Sequence, residues 1–191
     1  PAVVNVLCNG GNTGSITINA TAGGVGPYQY SLNAGPFGGS NVFGGLTAGT
    51  YAVTIRDANL CTVTLTNIVV NEPAVITGTL ASTDVTCNGA NDGIVSLNGV
   101  TGGVAPYQYS LNGGPAQSGN TFSGLAPGTY SIGVTDTNGC VLVFNGLVVA
   151  EPAPLAANDS TVTSSCVPGN DGEIWILNTT GGTPVYRFSL D

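Results

Sequence analysis

The chain contains no histidine, no lysine and no methionine, and its only basic side chains are Arg56 and Arg187. Without His or Lys, the commonest general base and the usual partners of a Ser or Cys nucleophile are missing, so the sequence reads as a non-enzyme. Charged residues make up only 6% of the chain, and the formal net charge is -8. An acidic chain with no basic patch is not a nucleic-acid binder, nor a binder of anionic membrane surfaces. No stretch approaches the roughly 18 apolar residues of a membrane span, so membrane insertion is not expected. Phosphate-loop and zinc-ligand spacings are missing as well.

What the chain has in abundance is glycine (30 residues), together with 11 prolines and many Thr, Ser, Asn and Val. That composition suits short strands joined by tight turns and opposes long helices. The chain is also periodic. Cys87-Asn88-Gly89 stands 79 residues after Cys8-Asn9-Gly10, and Pro106 to Asn112 repeats Pro27 to Asn33 at the same step. Gly128-Thr129-Tyr130 repeats Gly49-Thr50-Tyr51, Cys140 repeats Cys61, and Glu151-Pro152 repeats Glu72-Pro73. A fixed period with no drift means tandem copies of one folding unit. The units are residues 1–72 (N-terminally incomplete), 73–151 (complete) and 152–191 (first part only), which reads as a window onto a longer array.

Within a unit the apolar residues alternate. Ser15-Ile16-Thr17-Ile18 and Tyr28-Gln29-Tyr30-Ser31-Leu32 each put one face inward. The copies agree: Ile16, Val95 and Ile174 share one register, and Ile18, Leu97 and Ile176 share the next. Tyr28, Tyr30, Tyr107 and Tyr109 fit that core face better than a sugar platform. Trp175, between Ile174 and Ile176, faces outward and is a candidate surface contact. Seven or so short strands per unit predict an all-β fold of tandem immunoglobulin-like antiparallel sandwiches. Glu-Pro marks the joint between modules and reads as a hinge.

Cys8 and Cys61 are 53 residues apart, and so are Cys87 and Cys140. This spacing predicts one disulfide inside each repeat, Cys8–Cys61 and Cys87–Cys140, with Cys166 left unpaired by truncation. The alternative is five buried free thiols. The acidic turns at Asp136 and Asn138 and at Asp171 and Glu173 are the candidate calcium ligands. Neither turn supplies the six or more oxygens of a tight site, so no cofactor is assigned.

The order Cys-Asn-Gly, Asn-Asp-Gly, Thr-Gly-Gly-Val-Ala-Pro-Tyr-Gln-Tyr-Ser-Leu, Leu-Ala-Pro-Gly-Thr-Tyr, Thr-Asp-Thr-Asn-Gly-Cys and Glu-Pro, at Cys87 to Pro152, resembles the SprB-type repeat. It recurs with small changes at Cys8 to Pro73 and at Cys166 to Leu190. Such repeats occur in very large surface adhesins of gliding Bacteroidota. The resemblance implies an extracellular, cell-surface filament exported by type IX secretion and linked to gliding motility or attachment. Its implied partners are neighbouring repeats of the same chain, other copies in a filament, and surface polysaccharide. A glycan-binding module and a self-assembling, strand-exchanging fibre are the rival readings.

Overall fold

The structure, a computed structural model, describes residues 1–19, 21–165 and 171–190. Among them the regular structure is all strand, fourteen in number. Repeat 1 contributes β1 (Ala2–Val4), β2 (Gly14–Thr17), β3 (Gln29–Leu32), β4 (Val42–Leu46), β5 (Gly49–Arg56) and β6 (Thr62–Val70). They form two three-stranded sheets in the orders β1-β2-β4 and β3-β5-β6, with antiparallel pairing in both. These strand orders are consistent with an immunoglobulin-like arrangement, A-B-E and C-F-G without a D strand. Six strands suffice where the sequence suggested about seven, because Ala34 to Ser40 forms turns and a single bridge rather than a strand.

The core of repeat 1 lies between these sheets. Ile16 and Ile18 reach it from one, and Tyr30, Val53, Ile55, Ile68 and Val70 from the other. Alternation along each strand produces this face, as the period-two pattern requires. Tyr51, near the start of β5, donates its hydroxyl to the carbonyl of Thr47 at 2.9 Å. The bond has the form of the tyrosine corner known from immunoglobulin-like sandwiches. Tyr130 makes the same bond to Ala126 at 2.8 Å.

Repeat 2 runs through β7 (Thr77–Thr83), β8 (Gly93–Thr101), β9 (Gln108–Leu111), β10 (Thr121–Leu125), β11 (Gly128–Thr135) and β12 (Val141–Val149). Its sheets, β10-β8-β7 and β12-β11-β9, repeat the order of the first. Val95, Leu97, Ile132 and Val134 are fully buried, matching Ile16, Ile18, Val53 and Ile55 one period earlier. Repeat 3 contributes β13 (Ala156–Val162) and β14 (Glu173–Thr180), an antiparallel pair. On β14, in this two-stranded ribbon, Ile174 and Ile176 are 59% and 45% exposed.

The described residues gather into two compact units that do not follow the sequence period. The first comprises Pro1–Thr77 with the loops Val100–Tyr107 and Thr135–Leu142; the second comprises Gly78–Gly99, Gln108–Val134 and Val143–Asp191. The first thus holds repeat 1 and two loops of repeat 2.

Candidate functional site

The three sequence motifs without an obvious role as strand or core, Cys-Asn-Gly, Glu-Pro and the cysteine-bearing turn, converge in the first unit. The loop after β1 carries Cys8, Asn9 and Gly10. Asn9 donates its side-chain amide to the carbonyl of Pro73 at 3.0 Å, and the Gly10 amide donates to the Glu72 carboxylate at 2.6 Å. Two motifs 64 residues apart in sequence thus form one clamp on the chain as it leaves repeat 1. Glu-Pro is therefore a held exit rather than a free hinge. The second unit repeats the clamp, with Asn88 bonded to Pro152 at 3.1 Å and Gly89 to Glu151 at 2.9 Å.

Past the exit, Gly103 donates its amide to the carbonyl of Ala74 at 2.7 Å. Gly102, at φ +80°, brings its backbone so close that an added Cβ would stand 1.9 Å from the carbonyl oxygen of Val75. Only glycine fits there. Tyr107 holds this Gly-Gly turn by donating its hydroxyl to the Gly102 carbonyl at 2.6 Å. Tyr28 and Tyr186 make the same bond to Gly23 and Gly181. Tyr30 and Tyr109 are buried to 9% exposure, so the tyrosines serve the core and the turn.

The cysteine-bearing turn closes the joint. Asp136 is 5% exposed, and its carboxylate accepts the amides of Asn138 and Cys140 at 2.9 Å each and of Val104 at 2.8 Å. The side chain is spent on shaping this turn against the Gly-Gly turn. From the turn so shaped, Asn138 donates its side-chain amide to the Leu7 carbonyl at 3.0 Å, and Cys140 forms a disulfide with Cys8.

That disulfide corrects the expected pairing. The bond is Cys8–Cys140, spanning 132 residues, and Cys61 and Cys87 are free, exposed thiols. The reason lies in the sandwich itself. Val6, beside Cys8, donates its amide to Asn71 just past the end of β6, whereas Cys61 sits just before the start of β6. Nine strand residues therefore separate the two cysteines, about 30 Å at the usual rise. A disulfide needs Cα atoms within about 7 Å. Cys8 lies at the exit of repeat 1, where it meets Cys140, the second cysteine of repeat 2. Cys166 lies outside the described residues.

The calcium candidates are engaged in hydrogen bonds. Asp136 and Asn138 belong to the joint. Asp171 accepts the Ser165 amide at 3.0 Å and the Ser165 hydroxyl, and these bonds hold its carboxyl below the usual range. Asp92 is lowered likewise, first by the Thr86 hydroxyl and then by the Thr86 amide. Glu173 accepts the indole N–H of Trp175 at 3.0 Å. Trp175 itself is 54% exposed. Among the described residues, no three His, Cys, Asp or Glu side chains gather as a metal site.

The sequence reasoning missed the clamp and the cross-repeat staple. The signal for both was the presence of Cys-Asn-Gly and Glu-Pro in every full copy without a place in the strand alternation. In comparison with known proteins, residues 1–37, 79–116 and 158–191 match the family model described as SprB repeat, together more than half of the chain. No curated protein matches the chain.

Proposed function

From the premise that this chain belongs to the SprB repeat family, we propose that it is a tension-bearing, non-catalytic segment of a cell-surface filament. The family points to a repeat module of a cell-surface adhesin. The finer reading is a shaft that transmits pull along a series of modules to the surface being gripped, in gliding or in attachment.

The observation that supports it is the Cys8–Cys140 staple. A pull applied beyond both cysteines passes through the bridge and bypasses the chain between them. Covalent closure of a loop this long also restricts the unfolded chain, by about 5 kcal/mol on the chain-entropy account. The clamps of Asn9 and Gly10 on Pro73 and Glu72 add hydrogen bonds at the same joint. A module whose only task was to present a ligand site would not need its neighbour locked to it.

The test of surface placement is antibody labelling of intact cells with serum raised against this chain. Labelling of outer filaments without permeabilisation is expected, and labelling only after permeabilisation would overturn the reading.

A further inference from the structure

Repeat 1 carries a fixed arginine on the outer face of its β3-β5-β6 sheet. Val53 and Ile55 are buried in the core, so alternation turns Thr54 and Arg56 outward. The strand register sets Gln29 and Thr62 beside Arg56, and Thr64 beside Thr54. Arg56 donates from Nη2 to the carboxamide oxygen of Gln29 at 2.6 Å, and its Cζ lies 3.9 Å from the centre of the Phe37 ring. Its Nε is buried and meets no acceptor, so the stem of the side chain is sunk into the surface. Nη1 is accessible and, among the described residues, also has no acceptor. The adjacent carboxylate, Asp57, is taken up by the amides of Val25 and Cys61. Among the described residues no carboxylate pairs with Arg56, although the chain has a net charge of -8.

The fold does not require this arrangement. One period later Thr135 replaces Arg56, Ala116 replaces Phe37, and Val141 and Val143 replace Thr62 and Thr64. Repeat 2 nevertheless builds the same strand order. Val141 and Val143 are 62% and 48% exposed, so this face stays open in a repeat that follows another. A guanidinium held by stacking and a carboxamide, with donors to spare, is preorganised for a planar oxyanion.

We propose that this face of repeat 1 binds an acidic polysaccharide, with Nη1 of Arg56 donating to a uronate carboxylate. The unpaired cation assigns the anion. The uncharged groups around it assign the sugar: the Thr62 hydroxyl and the free amide N–H of Gln29 suit ring hydroxyls, whereas a second acidic chain is repelled by the net charge. One fixed cation takes one carboxylate and does not amount to a basic patch. The site gives the shaft a ligand contact of its own. It rests neither on surface placement nor on the staple, since the purified chain binds or fails to bind regardless of both.

The test titrates the full chain with a galacturonate oligomer at low ionic strength, followed by calorimetry. Binding is expected, weakening as salt is added, and it should vanish when the carboxyl groups of the oligomer are methyl-esterified. Arg56→Thr combined with Phe37→Ala copies the side chains of repeat 2 onto repeat 1, so the strands should persist, as circular dichroism checks. That variant should bind about tenfold more weakly, the scale of one lost charge-assisted hydrogen bond. Arg187→Gln removes the chain's other cation and should leave the affinity unchanged. No binding by the unaltered chain, equal binding of the esterified oligomer, or full affinity in the Arg56→Thr, Phe37→Ala variant would each overturn the proposal. So would an equal loss in Arg187→Gln, or binding of a glutamate oligomer as tight as that of galacturonate at equal charge.

Discussion

Asn138 donates its side-chain amide to the carbonyl of Leu7, 131 residues earlier, at 3.0 Å. The bond lies beside the Cys8–Cys140 bridge and fixes the turn that presents Cys140. Replacing Asn138 with Ala removes the donor. The expected cost is about 1 kcal/mol of joint stability. It is read as faster reduction of Cys8–Cys140 by dithiothreitol, with the tyrosine environment of the sandwiches unchanged in near-ultraviolet circular dichroism.

Gly102 and Gly23 occupy the same place in successive repeats, and both have positive φ. A Cβ at Gly102 meets the Val75 carbonyl at 1.9 Å, whereas a Cβ at Gly23 meets nothing within 4 Å. Gly23→Ala should cost only the left-handed backbone penalty, roughly 1 kcal/mol. Gly102→Ala should cost distinctly more and should weaken the joint. Thermal unfolding of the two variants checks this, and equal losses would show that the close approach at Gly102 is not structural.

Asp92 ties the loop before β8 by accepting the hydroxyl of Thr86 at 2.6 Å and its amide at 3.0 Å. These bonds favour the charged form and hold its carboxyl below the ordinary value of 3.8. A folded-state value below the unfolded one gives stability that is present above the unfolded value and lost as pH falls through the folded one. Stability should therefore decline on acidification below about pH 4. Asp92→Asn should flatten part of that decline, as measured by urea unfolding across the acid range.

The tyrosine corners give a fourth expectation. Tyr51→Phe deletes the bond to the Thr47 carbonyl and a longer one to the Thr47 hydroxyl, and Tyr130→Phe deletes the bond to the Ala126 carbonyl. Each should cost about 1 kcal/mol, because the ring stays in place while the Thr47 or Ala126 carbonyl loses a partner. Denaturant midpoints measure this, and an increase in stability would remove the corner from the account.

Much of this architecture is legible in the residues. Alternation places Ile16, Ile18, Val95 and Leu97 in the core, and all four are buried. The period locates strands of the same order in repeats 1 and 2. The same alternation sets Trp175 opposite Ile174 and Ile176, but all three are exposed on β14, so burial does not distinguish its two faces. The cysteine pairing was beyond reach for a definite reason. In a periodic chain a spacing of 53 and a spacing of 132 differ by one period of 79, so both put a first cysteine opposite a second one. Choosing between them requires knowing which end of the sandwich carries each cysteine, and that depends on the direction and length of β6. The clamp was hidden likewise, since Asn9 and Pro73 become neighbours only once the segment after β1 meets the segment after β6, where Val6 bonds to Asn71.

The central claim, that the staple joins successive repeats and carries tension, is tested most directly by pulling single chains from their two ends with and without reductant. Oxidised chains should withhold the segment between Cys8 and Cys140, and reduction should release it, adding about 450 Å of contour length at the extended reach of the backbone. Two separate gains of about 180 Å each, the signature of loops closed inside single repeats, would contradict the account, as would equal lengths in both conditions.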